Sequence, residues 1–224
     1  MNMLKKLLKI LLWLIGGSVL LLVLTLAGFY LYFAIPMQKN FAKLEATQST
    51  DCTTSDRWQI IAPLESYPTQ FLDIFSETNS GDPDLMLARK LIEELHHRQS
   101  EFTSRYIVGT QEIKRHYTQQ QRLELAFNHW HMGNIGDCAI HGMTAATYYY
   151  FGKIPQQLSV AEMALLAGVT RGASFYNPFK HPDRAQERRD LLLQLLLDKH
   201  LITEAEYQTA LKEPLPVKPH EKDS

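Results

Sequence analysis

The feature that most constrains this chain is a long uncharged run near its beginning. Residues 10–37 contain no Asp, Glu, Lys or Arg over about 28 positions, and Lys5, Lys6 and Lys9 precede them. As a helix the run would extend roughly 42 Å, enough to cross a hydrocarbon core of about 30 Å with some tilt. Lysines that flank a span stay in the cytoplasm, so the rest of the chain is expected outside it. The sequence therefore predicts a cytoplasmic tail at 1–9 and a transmembrane anchor at 10–37.

A cleaved signal peptide is the rival interpretation of this run. Its apolar core would be about 7–15 residues long and would be followed by small residues at a cleavage site. The run is about twice that length, and the F-A-I-P segment at 33–36 is a poor cleavage site. Trp13, Tyr30 and Tyr32 suit the two membrane interfaces. An uncleaved anchor is the favoured interpretation.

The part beyond the anchor has the size and charge of one ordinary domain. About 185 residues follow the run, which is enough to bury a core. The formal net charge of −1 indicates no nucleic-acid partner. The two cysteines, Cys52 and Cys138, would lie in a compartment that permits a disulfide. A pair of free thiols is the alternative.

Hydrophobic spacing and capping signals predict an α-helical domain over 63–217, after a polar tether at 38–62 and before a tail at 218–224. The segment 58–62 is a candidate short strand, and no strand-rich region follows it. Asp84 is a plausible cap for a helix over 84–99. Helix N-termini are predicted from three capping boxes, T-x-x-Q at 118–121, S-x-x-E at 159–162 and T-x-x-E at 203–206. Gly152 and Gly168 are expected to end helices, and Pro182 to begin one.

Five strings in the second half share order and spacing with one known family. They are L-E-L-A-F-N at 123–128, G-M-T-A-A-T-Y-Y-Y-F-G-K at 142–153, L-S-V-A-E-M-A-L-L-A at 158–167, Y-N-P with H-P at 176–182, and R-A-x-x-R-R at 184–189. Together they resemble the C-terminal half of the family 51 peptidoglycan glycosyltransferase domain. The resemblance implies a lysozyme-like helical fold behind the anchor, in the bacterial inner membrane with the domain in the periplasm. It also implies a lipid-linked peptidoglycan precursor and cell-wall synthesis proteins as partners.

The catalytic strings of that family lie in its other half, which is eroded here. The family has one glutamate in E-D-x-x-F-x-x-H-x-G, a second in R-K-x-x-E, and a G-x-S-T-I-T-Q-Q segment between them. Glu77 is the candidate for the first carboxylate, although Thr78 follows it where the family has Asp. The second glutamate falls on Tyr106, and Glu101 or Glu112 would replace it only with a shift of register. The segment with the T-Q-Q string is missing.

Binding candidates come from the matched strings. Arg184, Arg188 and Arg189 would meet an anionic lipid or pyrophosphate, or else form a solvated helix face. Asn128 and Lys153 stand in the first and second matched strings and are further candidates for substrate binding. The histidine pairs at 96–97 and at 129 and 131, and the D-C…H set at 137–141, show no ligand spacing, so no metal site is expected. A divalent ion would be needed only if the domain is active.

The sequence thus predicts a membrane-anchored, periplasmic, glycosyltransferase-like protein that has lost catalysis and serves as a binding or regulatory module in cell-wall assembly. Two alternatives stay open. One is a minimal active glycosyltransferase that uses Glu77, and the other is a structural subunit with no glycan contact.

Overall fold

The computed structural model describes residues 2–38, 41, 52, 57–78, 82–93 and 102–216. Several expectations fall elsewhere in the chain. Most of the tether, the histidines at 96 and 97, Glu101 and the tail at 218–224 lie outside the described residues.

The first helix, α1, runs from Asn2 to Gln38 and contains the uncharged run. Its stretch Leu12–Ile35 is 24 residues long with a mean hydropathy of 2.2, and by length and composition it qualifies as a membrane span. From the last residues of that stretch onward the helix changes surroundings, because Phe33, Ala34 and Met37 are buried against the domain together with Val108. The end of α1 therefore packs on the domain.

Helices make up most of the domain, as the sequence predicts. The other helices of the described residues are α2 (Thr69–Glu77), α3 (Pro83–Glu93), α4 (Phe102–His116), α5 (Gln119–His129), α6 (Met143–Phe151), α7 (Val160–Val169), α8 (Pro182–Asp198) and α9 (Glu204–Lys212). Short 3-10 turns occupy Leu64–Ser66 and Pro155–Gln157.

The helix starts predicted from the three capping boxes are confirmed. In all three capping boxes the side chain of the first residue accepts from the backbone of the fourth, and the fourth side chain accepts from the first backbone N–H. These reciprocal bonds satisfy amide groups that have no partner within the helix. Gly152 ends α6 in the left-handed conformation, at a φ of 65°.

Two predicted helix boundaries are wrong. Gly168 does not end α7, which continues to Val169 with Thr170 as its cap. A Cβ at Gly168 would come within 3.0 Å of the Cγ of Arg188, so the glycine lets α8 approach α7 closely. Asp84 does not cap α3 either, because Asp82 accepts the backbone N–H groups of Asp84 and Leu85.

A small sheet departs from the purely helical expectation. It contains β1 (Arg57–Gln59), β2 (His131–Ile135) and β3 (Cys138–His141), in the order β1-β3-β2. The strand β1 is parallel to β3, and β2 is antiparallel to β3 with a bulge between His131 and Gly133. Since β1 belongs to this sheet, the last part of the segment expected as a tether is part of the domain. The candidate strand expected at 58–62 is found at Arg57–Gln59, so it begins one residue earlier and is two residues shorter.

The turn into α6 requires a glycine. Gly142 has a φ of 87°, and a Cβ there would stand 2.8 Å from the carbonyl oxygen of Asn128. Only a residue without a side chain fits that conformation and that close approach. The glycine thus lets the end of β3 turn directly over the end of α5.

The core is centred on α7, which is buried along almost its whole length. Residues 161 and 163–169 of this helix are buried, and it packs against α2, α6, α8 and α9. Leu165 and Leu166 are both buried there. A helix that is apolar on every side is stable in water only when other elements cover it on every side.

Cys52 and Cys138 are joined by a disulfide with a Cα–Cα distance of 5.6 Å. It attaches the segment ahead of β1 to the start of β3 across 86 positions of sequence. The chain is therefore fixed to the sheet at the point where it enters the domain.

Candidate functional site

A cleft of about 690 Å³ opens between α3, the sheet and the loop after α7. The α3 wall contributes Asp82, Leu85, Met86, Arg89 and Lys90. The loop from Thr170 to Ala173 forms a further part of the lining, and three histidines, at 129, 131 and 141, line the cleft beside Trp130. The size of the cleft lies within the range typical of small-molecule sites.

Contacts at the start of α3 hold its cleft-facing side in place. Asp82 caps the helix, and Asp84 forms ion pairs with Arg122 at 2.6 Å and with Lys114 at 3.5 Å. The cleft residues of α3 recur at spacings of three and four, which keeps them on one face of a helix. Arg89 therefore lies one turn beyond Leu85 along the same wall.

The floor of the cleft rests on a set of buried hydrogen bonds. Gln59, in β1, donates through Nε2 to the carbonyl oxygen of Asn128 at 2.5 Å, and its Nε2 lies 3.2 Å from Nδ1 of His129. Nδ1 of His141 lies 3.1 Å from the carbonyl oxygen of His129, to which it donates. The rings of His131 and His141 meet at a centroid distance of 5.5 Å. The end of α5 and the two strands are thereby tied together beneath the cleft.

The described lining of the cleft carries three cations, Arg89, Lys90 and Arg171, and the carboxylate of Asp82. Burial lowers the pKa of His141 to about 3 even though its bond to the His129 carbonyl raises it, and the charges of Lys90 and Arg57 lower it further. His141 is therefore neutral at ordinary pH. Guanidinium and ammonium groups in a cleft lining attract a ligand that carries negative charge.

Contacts at the start of α3 also connect the cleft to α1. Lys114, which pairs with Asp84, precedes Arg115, and Arg115 donates to the hydroxyl of Tyr30 at 3.0 Å. That hydroxyl in turn donates to the buried carboxylate of Glu112. Tyr30 lies within the apolar stretch of α1, five residues before its end at Ile35. The α3 wall and the end of the apolar stretch are thus linked through one turn of α4.

The two candidate carboxylate positions lie away from the cleft. Glu77 is the last residue of α2, is 46% exposed, and pairs with Lys199 at 2.5 Å. Glu112 is buried against α1 and does not line the cleft. Tyr106, the position expected for the second acid, lies in α4 and packs against the core. The described part of the cleft lining contains one carboxylate, that of Asp82.

Three of the predicted binding residues have structural partners instead of facing the cleft. Asn128 is buried and bonds to the backbone N–H and carbonyl of Ala62 at 2.9 and 3.0 Å. Arg189 is buried and donates to Asp190 and to the carbonyl oxygen of Glu213. Lys153 pairs with Glu162 at 2.7 Å. These side chains fasten neighbouring elements to one another.

Arg184 and Arg188 occupy a different surface. The guanidinium of Arg184 lies 4.3 Å from the ring centre of Phe175, and that of Arg188 lies 6.0 Å from the ring centre of Tyr176. Neither arginine lines the cleft, so the structure does not bring the five predicted binding residues together into one site.

Sequence reasoning missed the residues that do line the cleft. Arg89 and Lys90 stand in an L-A-R-K-L string that resembles part of the family, and the basic pair was a usable signal. Arg171 is a single charge in a loop, and His141 is brought to the cleft only by strand pairing, so neither has a local pattern. Among the described residues, no three His, Cys, Asp or Glu side chains converge in the manner of a metal site.

Comparison with known proteins identifies the domain. Residues 87–197 match the family model described as Transglycosylase. The chain is 42% identical to penicillin-binding protein 1B of Vibrio cholerae over 101 residues, which are 45% of this chain and 13% of that protein. It is 41% identical to penicillin-binding protein 1B of Escherichia coli over 103 residues, 46% of this chain and 12% of that protein. The chain therefore matches only about an eighth of the length of these relatives.

A solved structure shows a looser likeness. The crystal structure of penicillin-binding protein 1A from Haemophilus influenzae superposes with a TM-score of 0.47 and 28% identity, over 75% of this chain and 19% of that one. This superposition is too loose to add to the sequence match. On the sequence match, this chain carries a transglycosylase domain of family 51.

Proposed function

We propose that this protein is a membrane-anchored module that binds a pyrophosphate-linked glycan lipid of bacterial cell-wall synthesis and does not polymerise it. The observation that carries the proposal is the cleft itself, in which Arg89, Lys90 and Arg171 converge while Glu77 lies elsewhere. Binding and catalysis make different demands, and the cleft meets only the first.

The charge of the cleft supports an anionic ligand of this kind. A pyrophosphate carries several acceptor oxygens and at least two negative charges, and arginine binds phosphate groups through its planar fork of donors. Arg89 and Lys90 on α3 and Arg171 in the loop after α7 all line the cleft. An anion bound there would be contacted from both elements.

The position of the cleft supports a ligand that is held in a membrane. Phe33, Ala34 and Met37 are buried against the domain, and the contact of Arg115 with Tyr30 extends this packing into the apolar stretch. Five residues of helix correspond to roughly 7.5 Å, so Arg115 would lie at the level of the lipid head groups. The first turn of α3 is joined to that level by Lys114. The pyrophosphate head of the lipid would then reach the cleft while the lipid tail stays in the bilayer.

The packing of α1 also supports an anchor that is retained. Cleavage after residue 36 would remove Phe33 and Ala34 from an apolar contact with the domain. We propose an inner-membrane location with the domain in the periplasm, where the disulfide would be stable. Proteins of cell-wall synthesis are the expected partners.

The loss of polymerisation rests on the carboxylates. Glycosyl transfer with inversion needs a base on the acceptor hydroxyl and a group that assists departure of the donor's leaving group. Asp82 is the one carboxylate of the described cleft lining, and its Oδ1 already accepts two backbone N–H groups of α3. Glu77 is held by Lys199 outside the cleft. A single engaged carboxylate does not supply both roles.

Binding and polymerisation are tested separately on the purified full-length protein in detergent. The ligand is a polyprenyl-pyrophosphoryl disaccharide pentapeptide, and the assay scores both the bound fraction and chains longer than the disaccharide. Binding without elongation is expected. Arg89→Gln with Lys90→Gln should weaken binding roughly tenfold or more, since two charge-assisted contacts to the anion are lost. Lys199→Gln removes a distant exposed charge and is the matched control.

The two alternatives give different results in the same assay. Elongation by the wild-type protein that is lost in Glu77→Gln or Asp82→Asn would establish a minimal active enzyme. Equal and weak binding by the wild-type protein and the Arg89/Lys90 double variant would leave the structural subunit. Either result overturns the proposed binding module.

A further inference from the structure

A second basic surface adjoins the cleft and has no role in the function proposed so far. It consists of two exposed or half-buried arginines of α8, Arg184 and Arg188, each stacked on an aromatic ring of the preceding loop, Phe175 and Tyr176. These four residues are called the arginine–aromatic ridge below.

The ridge is ordered by ring contacts and by close packing. The two rings meet edge to face with their centroids 4.9 Å apart. The guanidinium of Arg184 lies over the first ring, and the Cγ of Arg188 packs where a larger residue at 168 would stand. Stacking on aromatic faces holds a guanidinium without using its N–H donors.

The donors of the ridge are left for an outside acceptor. Within the described part of the chain, neither Arg184 nor Arg188 has a carboxylate within 4.0 Å, although Asp183 and Glu187 stand on the same helix and are exposed. The Nε of Arg188 is buried without a hydrogen-bond partner. Because this atom has no access to solvent, only the terminal nitrogens of the Arg188 guanidinium can meet an outside acceptor.

The ridge is continuous with the cleft. The loop that forms the cleft wall at Gly172 and Ala173 continues directly into Phe175 and Tyr176. The backbone N–H groups of both aromatic residues donate to the carbonyl oxygen of Gly172, at 3.0 and 2.9 Å. The ridge and this part of the cleft lining therefore belong to one loop.

We propose that the ridge binds carboxylate groups of the peptide that the glycan ligand carries, while the cleft holds the pyrophosphate. This inference rests on the proposed function, because it needs the ligand to occupy the cleft. A guanidinium matches a carboxylate through two parallel N–H···O bonds. Phe175 and Leu191 are 52% and 57% exposed on the same surface, so a peptide with both carboxylates and apolar side chains fits better than a bare sugar.

The test compares two ligands that differ only in the carboxylates. One is the polyprenyl-pyrophosphoryl disaccharide pentapeptide, and the other is the same lipid with its peptide carboxylates converted to methylamides. Amidation should weaken binding to the wild-type protein roughly three- to tenfold, as expected for one or two partly exposed charge-assisted pairs. The bond to pyrophosphate is unchanged between the two ligands.

Variants assign the effect to the ridge. Arg184→Gln with Arg188→Gln should bind the carboxylate ligand as weakly as the amidated one, and should bind the amidated ligand as the wild-type protein does. Arg184→Lys keeps the charge and loses the fork of donors, and should recover only part of the affinity. Lys199→Gln, which removes an exposed charge just beyond the far end of α8, should leave the ratio of the two affinities unchanged. Melting temperatures are compared to exclude unfolding.

The outcomes separate this inference from the proposed function. Tight binding of both ligands with equal affinity overturns the ridge inference and leaves the cleft proposal standing. A carboxylate preference that persists in the double variant also overturns it, because another group then reads the peptide. Failure of the wild-type protein to bind either ligand overturns both, and would favour an acidic segment of a partner protein as the occupant of the ridge.

Discussion

The two halves of the domain differ in what their sequence matches and in what their side chains do. In the second half, residues 142–216, the strings that resemble the family become a packed core in which Tyr150 and Leu166 are fully buried. The first half, residues 57–116, supplies Arg89 and Lys90 to the cleft. Its Leu85 is 48% exposed at the cleft wall. The family match at 87–197 includes these cleft cations as well as the core, so geometry is needed to tell which matched residues face a ligand.

The matched polar residues illustrate the same difference. Arg189 and Asn128 stand in matched strings, yet each ends at a backbone carbonyl or N–H group of a neighbouring segment. The hydrogen bonds of a buried arginine with two partners are costly to break, and they help to fix one packing arrangement. In this chain both side chains therefore act in folding and not at the cleft.

The disulfide should have the largest effect on stability, because it joins the entry of the first half to β3. Replacing both Cys52 and Cys138 with Ala opens a loop of 86 positions. In the chain-entropy description this lowers the free energy of unfolding by roughly 4–5 kcal/mol. Denaturant unfolding in detergent measures the change. If both thiols of the wild-type protein react with an alkylating reagent under non-reducing denaturation, the bond does not form in solution.

Matched leucines test the contrast between the halves directly. Leu166→Ala removes a fully buried side chain from α7 and should destabilise the protein by roughly 2–5 kcal/mol. Leu85→Ala removes a half-exposed side chain from α3 and should change stability by less than about 0.5 kcal/mol. Thermal melting of both variants gives the comparison. Equal losses would contradict the division into scaffold and site.

Features that depend on residues close together in the sequence were predictable, and features that depend on distant residues were not. Capping boxes act over four residues, so the starts of α5, α7 and α9 were predictable from sequence. The sheet joins β1 to β3 across about 80 positions, and a three-residue strand has no period to recognise. The ends of helices were harder, because Gly168 is required by contact with Arg188 and not by the helix terminus.

The site was less predictable than the fold for the same reason. Its cations come from α3 and from the loop after α7, more than 80 positions apart, and only tertiary packing makes them neighbours. A charged residue on a helix is usually solvated, and a local pattern does not distinguish Arg89 from Arg184. The resemblance drew attention to α8, where the arginines turn away from the cleft.

His141 gives the next effect, and it lies between the two halves at the end of β3. Its pKa is about 3 in the folded protein and near 6.5 when unfolded, so the unfolded state binds more protons between these values. The contribution of His141 to the free energy of unfolding is therefore complete above about pH 6.5 and is lost as the pH is lowered towards 3. From pH 7 to pH 5 this group should lower the free energy of unfolding by about 2 kcal/mol.

The matched variant for this effect is His141→Asn, which keeps a side-chain donor near the carbonyl of His129. Between pH 7 and pH 5 the free energy of unfolding of this variant should fall less than that of the wild-type protein. The difference should equal the contribution of His141, about 2 kcal/mol. Urea unfolding at both pH values gives the difference. Parallel pH dependence in the two proteins would show that this imidazole is not held in its neutral form.

Glu77 should have the smallest effect, although it is the carboxylate that the family pattern singles out. It joins the two halves through its ion pair with Lys199, and both side chains are more than 40% exposed. Exposed pairs of this kind contribute little, because water screens the charges and both side chains lose freedom. Glu77→Gln should therefore change the free energy of unfolding by less than about 1 kcal/mol.

The same variant separates a surface role from a catalytic one. If Glu77 acts only through Lys199, then Lys199→Gln and the double variant should show the same small loss of stability as Glu77→Gln, since the pair is already broken in each. Binding of the glycan lipid should be unchanged in all three, because neither residue lines the cleft. A catalytic base would behave differently: its loss would abolish elongation, while Lys199→Gln would leave elongation intact. Loss of elongation in Glu77→Gln alone would place a catalytic base in the first half, outside the cleft. Of all these results it would most directly contradict the assignment of ligand chemistry to the cleft.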